Sequence, residues 1–193
     1  MEFYKGTHGT TCSVASSITQ EGFKQGPGIR GTGIYFWLYQ YEALLDEAEN
    51  LAIAWWSYSE NKGDYSEHKD RACAIVLADL DTSPDDVFDL ESERQGIMAM
   101  SLAIKEKLDD PSLSEDDRKK LLTGIHDLFV KKYEEKLGRK FNAVQVKVPP
   151  PKGFKSRFHR DINGNQPLCL VIRNNDIVKV TDIKYPDATP KKQ

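Results

Sequence analysis

Gly31-Thr32-Gly33-Ile34-Tyr35-Phe36-Trp37-Leu38 is a glycine-punctuated lead into an aromatic and β-branched run, and Leu44, Ala48, Leu51, Ala52 and Trp55 follow it at i, i+4, i+7, i+8 and i+11. The first part reads as a strand from Gly33. The second is the apolar stripe of an amphipathic helix packed on a sheet. Upstream, Phe3 to Gly9 reads as a short strand, and Ser13 can cap a helix that carries Val14 and Ile18 on one face and ends at Gly22. Residues 25–33 hold Gly26, Pro27, Gly28, Gly31 and Gly33, the composition of a loop that turns sharply or runs close to something.

Downstream, Ala72 to Leu80 is apolar enough for a buried strand. Glu91 to Leu108 and Ser114 to Leu137 read as two helices separated by Asp109-Asp110-Pro111, a helical insertion over 91–137. Ser114 with Asp117 supplies a capping signal for the second. Phe141 to Val148 alternates, with Val144, Val146 and Val148 on one face, until Pro149-Pro150-Pro151 stops it. Pro167 to Arg173 and Ile177 to Ile183 are two more strands, joined by the hairpin-turn composition Asn174-Asn175-Asp176. Strands with segregated helices predict one α+β domain over 1–185, with a frayed tail over 186–193.

With 27 Lys+Arg against 30 Asp+Glu, a net charge of −3 and 39% hydrophobic residues, the chain has the composition of an ordinary soluble domain. No apolar run is long enough to span a bilayer, and Met1-Glu2-Phe3-Tyr4-Lys5 lacks a signal peptide's apolar core, so the expected compartment is the cytoplasm, with no membrane partner. Cys12, Cys73 and Cys169 lie far apart without a C-x-x-C or H-x-x-x-H pattern, which predicts small buried thiols and no metal site. Charge is unevenly placed. Arg139, Lys140, Lys147, Lys152, Lys155, Arg157 and Arg160 fall between 138 and 160 with no acidic residue among them, interleaved with Phe141, Phe154 and Phe158. Charge with stacking grips single-stranded nucleic acid, and a solvated loop is the plain alternative. A protein acceptor with an acidic surface would be served equally well. Trp55 and Trp56 read as core residues.

The informative pieces are His8-Gly9-Thr10 on the first strand, Ile18-x-x-x-Gly22-Phe23 after it, and Gly31-x-Gly33-Ile34-Tyr35-Phe36. In this order they resemble the diphtheria-toxin-like ADP-ribosyltransferases of the poly(ADP-ribose) polymerase type. The likeness is close over residues 1–60, fair over 72–90, and in outline over 141–185. It implies an ADP-ribosyltransferase-like split antiparallel β-sheet core with flanking helices, and NAD as co-substrate. A nicotinamide dinucleotide presents a flat cationic ring, two ribose diols and a diphosphate. By resemblance His8 meets a ribose hydroxyl, Gly9 offers its backbone to the carboxamide and Tyr35 stacks on the nicotinamide, a contact of roughly 0.5–2 kcal/mol. Thr10 and Gly33 belong to the same donor-site motifs. Arg30 can meet the diphosphate in bidentate fashion or stand as a solvated loop charge.

Two departures qualify the resemblance. The family's polymerising members carry a Glu on a late strand, where this chain has Leu168, and no acidic residue occurs over 162–175. Polymer synthesis is therefore not expected, and Leu168 makes a His-Tyr-Leu site. Gln166, two residues earlier, can supply the polar contact instead. On the following helix, Tyr41, Ala43 and Asp46 stand where the family has small hydroxyl residues and a second stacking Tyr. Tyr39 or Tyr41 can close the nicotinamide pocket or serve as core filler or an exposed aromatic. The expected activity is mono-ADP-ribosyl transfer to a protein or nucleic-acid acceptor. The small stand-alone size suggests a bacterial or phage toxin, defence protein or effector, with an inhibitor or antitoxin as a further partner. The alternatives are an RNA 2′-phosphotransferase, whose first motif is also H-G-T, and a pseudoenzyme that only binds NAD or ADP-ribose.

Overall fold

A computed structural model describes residues 4–158 and 166–189. β1 (Tyr4–Thr11) leads into α1 (Cys12–Glu21), then β2 (Gly26–Gly28), β3 (Gly31–Leu38) and α2 (Leu45–Lys62). β4 (Cys73–Leu80) and β5 (Val87–Asp89) follow. The helical insertion comes next, as α3 (Arg94–Leu102), α4 (Lys105–Leu108) and α5 (Glu115–Leu137). β6 (Ala143–Lys147), β7 (Leu168–Ile172) and β8 (Val178–Lys184) close the described chain. The fold is α+β. Its eight-stranded sheet runs β5-β6-β7-β3-β1-β4-β8 with β2 beside β3, and is antiparallel except for β5 beside β6.

Period-two alternation sends side chains to two cores, one on each face. Trp37 and Val171 join Leu51 of α2 and Phe129 of α5 on one face, while Phe36 and Leu170 join Ile18 of α1 and Val76 on the other. Apolar side chains of this size contribute roughly 1.5–3 kcal/mol each when buried.

Several sequence expectations need correction. The glycine segment, expected as a loop that turns sharply or runs close to something, is a paired hairpin: Gly26, Pro27 and Gly28 pair with Gly33, Thr32 and Gly31. Thr11, not Ser13, caps α1, its hydroxyl accepting from the Val14 N–H at 3.3 Å. The expected helix over 91–108 breaks in two between Leu102 and Lys105. β7 and β8 do not pair with each other, since β7 lies between β6 and β3 and β8 runs on the far edge beside β4. The Asn174-Asn175-Asp176 connection is a pinned crossing, in which the Asn175 amide donates to the Phe23 carbonyl at 2.8 Å and Gln25 donates to the Arg173 carbonyl at 2.7 Å. Trp56 is buried as expected, whereas Trp55 is 40% exposed.

Among the described residues no helix is long and apolar enough to cross a membrane. Cys73 and Cys169 are buried and Cys12 is partly so. Pro186 to Thr189 have no regular structure, while the rest of the expected tail and Arg160 of the basic stretch lie outside the described residues.

Candidate functional site

β1 and β3 pair at Gly6–Leu38 and Thr7–Trp37 and then part, although β3 continues back to Gly31 and β1 on to Thr11. The side chain of His8 crosses the opening. Its Nδ1 lies 2.9 Å from the Tyr35 carbonyl oxygen, and its ring meets Phe23 edge-on with centroids 5.4 Å apart. A carbonyl only accepts, so Nδ1 carries the hydrogen. Burial pushes the imidazole pKa below its ordinary value, an effect the Tyr35 contact only partly offsets, so the neutral ring is favoured. Nε2 then holds a lone pair for a hydroxyl.

Gly9 follows with its backbone turned toward the gap. The Tyr39 N–H donates to the Lys5 carbonyl at 2.9 Å, so the peptide groups of Lys5 face β3. Strand alternation turns those of Thr7 and Gly9 the same way. Thr7 still has β3 beside it; Gly9 does not, so one N–H and one C=O open into the cleft together. Glycine is required here for packing as well, because a Cβ would stand 1.9 Å from the Ala52 carbonyl oxygen of α2.

Tyr35 is held from the hairpin it supports. Its hydroxyl donates to the Gly31 carbonyl at 2.7 Å and accepts from the Arg30 N–H at 3.1 Å. A Cβ on Gly28 would stand 2.2 Å from that hydroxyl, so the ring and the β2 backbone require each other. α5 fixes the hairpin from outside: Asp127 accepts from the Thr32 N–H and hydroxyl, and the Thr123 hydroxyl donates to the Gly28 carbonyl at 2.8 Å. The sequence offered no signal for this role of the insertion.

These groups line a cleft of about 800 Å³, within the roughly 300–1,000 Å³ usual for small-molecule sites. His8, Gly9, Gly33 and Tyr35 are all at its wall, with Phe23 and Gly28. Five cations (Lys24, Lys62, Arg118, Lys119, Lys152) and three carboxylates (Asp64, Glu115, Asp116) line it, a local balance of +2 on a chain of −3. Such a balance favours an anionic ligand.

Other expected site residues lie elsewhere. Thr10 is buried and hydrogen-bonds the Tyr65 side chain. Arg30 is half-buried and touches Tyr35 through its backbone, without lining the cleft. Tyr39 is buried in the core and Tyr41 is 70% exposed. Leu168 opens β7 at 41% exposure, Gln166 precedes that strand, and neither lines the cleft. Three of the six described cations of the basic stretch are engaged: Lys140 pairs with Glu134 at 2.9 Å, Arg157 with Asp46 at 3.3 Å, and Arg139 lies over the Phe141 ring. Phe141 is itself core, while Lys152 reaches the cleft.

No protein-family model, curated protein or solved structure matches this chain.

Proposed function

We propose that the chain is an NAD-dependent mono-ADP-ribosyltransferase, on the strength of one arrangement: where β1 and β3 part, His8, Gly9 and Tyr35 line one cleft, with the His8 ring fixed through Nδ1 on the Tyr35 carbonyl. These residues fit the donor. The paired N–H and C=O of Gly9 complement a carboxamide, which both accepts and donates. Tyr35 supplies an aromatic face for a cationic ring, and Nε2 accepts from a ribose hydroxyl.

NAD brings a glycosidic bond whose leaving group departs neutral from a positively charged ring, through an oxocarbenium-like transition state. A strong base is therefore not required of the protein. Its contribution is orientation: His8 fixed by Tyr35, Tyr35 fixed by Gly31 and Arg30, and the hairpin fixed by α5. His8 and Tyr35 are the residues on which this reading depends; Leu168 and Gln166 are secondary to it.

The deciding experiment supplies NAD labelled in its adenosine half with protein, RNA or DNA extracts and follows the label. Label fixed to one class of macromolecule, with His8→Ala inactive, is the expected result. Binding of NAD without release of nicotinamide would reduce the protein to a binding module, and phosphate transfer from 2′-phosphorylated RNA would replace the reading with a phosphotransferase.

A further inference from the structure

Beyond Gly9 the cleft continues along one face of α2. Trp55, Tyr58 and Lys62, at i, i+3 and i+7, all line it. Ala52 packs its carbonyl against Gly9, and at about 1.5 Å per residue the three side chains step roughly 5, 9 and 15 Å along the axis from there. Trp55 is 40% exposed where the adjacent Trp56 is 2% exposed. Its ring lies 5.8 Å from that of Tyr58, tilted by 37°, so the two form an open aromatic wall.

Lys119 of α5 and Lys152 after the triple proline line the same space, and neither has an ion-pair partner among the described residues. Lys62 is shared with Glu115 at 3.6 Å. Asp64, Glu115 and Asp116 also stand in this wall and repel an anion, but the five cations there outnumber them. An exposed indole sharing one cleft with uncommitted ammonium groups is the chemistry that holds a flat base carrying a phosphate.

We propose that Trp55, with Tyr58 beside it and Lys119 and Lys152 in the same cleft, forms a subsite for a nucleobase and its attached phosphate. This goes beyond the transferase reading and does not depend on it, since stacking requires no bond cleavage. The base can belong to a free nucleotide or to single-stranded nucleic acid.

The test is calorimetric titration of the full chain and of the variants with AMP, with ADP-ribose and with a short single-stranded oligonucleotide, with tryptophan quenching followed in the wild type. Quenching is expected in the wild type. Trp55→Ala should weaken binding roughly 5- to 150-fold, the usual worth of one base stack, while Trp55→Phe keeps most of the affinity. Replacing Lys119 and Lys152 together by Ala should weaken binding and flatten its salt dependence. Quenching by AMP and ADP-ribose alone assigns the subsite to a free nucleotide, and quenching by the oligonucleotide alone assigns it to nucleic acid. Affinities unchanged in a folded Trp55→Ala, or no quenching by any of the three, would overturn the proposal.

Discussion

Asp127 of α5 holds Thr32 twice, accepting from its backbone N–H at 2.9 Å and from its hydroxyl at 2.7 Å. The helical insertion thereby clamps the hairpin on which Tyr35 rests. Asp127→Ala should cost about 2 kcal/mol, given that hydrogen bonds to charged groups contribute about 1.5–3 kcal/mol and this pair is half-buried. Urea unfolding measures the loss, and Asp127→Asn should recover part of it. Stability unchanged in Asp127→Ala would contradict the clamp.

How much of this was legible in the sequence follows from what each signal depends on. The stripe of Leu44, Ala48, Leu51, Ala52 and Trp55 points to α2 because its helical period repeats within one segment, although Leu44 only caps the helix and Trp55 is exposed. Strand partners are set between distant segments, so Asn174-Asn175-Asp176 read as a hairpin although its side chains are tethered to Phe23 and Asn142. His8, Gly9, Gly33 and Tyr35 could be picked out as motif residues and do line one cleft. Trp55 reads as core because it continues the apolar stripe at i+11, whereas the helix turns Trp56 inward and Trp55 toward the cleft.

Gly9 meets two demands at once. Gly9→Ala would drive a Cβ into the Ala52 carbonyl at 1.9 Å and push α2 from β1. A loss of about 1–3 kcal/mol or more is expected, as for other overpacked interiors. Thermal unfolding checks it, and a variant as stable as wild type would mean that α2 does not bear on this strand.

Glu134 ties the end of α5 to β6 and β7. It is 3% exposed, accepts from the Lys140 ammonium at 2.9 Å and the Phe141 N–H at 3.1 Å, and lies 3.7 Å from Arg173. Burial alone would raise its pKa; the hydrogen bonds from Lys140 and Phe141 and the nearby Arg173 outweigh burial and lower it below its ordinary 4.5. A carboxyl depressed on folding contributes stability above the unfolded value, and this is lost as pH falls through the folded one. Glu134→Gln should lose about 1–2 kcal/mol at neutral pH, since it removes a charged acceptor from the Phe141 N–H and from Arg173 while the Lys140 ammonium stays in solvent. It should also show a shallower decline below pH 4.5 in urea titrations; a decline as steep as wild type would contradict this role.

Leu168 stands at the exposed start of β7, outside the cleft wall. Leu168→Glu should leave nicotinamide release within about twofold of wild type, an energetic change of about 0.4 kcal/mol. A large change in rate or product in single-turnover assays would bring this position into the reacting site after all.

The measurement that bears most directly on the account is nicotinamide release from NAD by wild type and by His8→Ala, from pH 5 to 8 and with acceptor extract present. Burial holds the His8 imidazole below its ordinary 6.5. The neutral ring therefore persists below that pH; activity falls as pH drops toward the lower folded value, while the contribution to stability is full above 6.5 and is lost between 6.5 and the folded value. The account predicts release that is level from pH 8 to 6.5, declines below it, and is abolished in a folded His8→Ala. Release unchanged in His8→Ala, or no release by wild type with any extract, would contradict it.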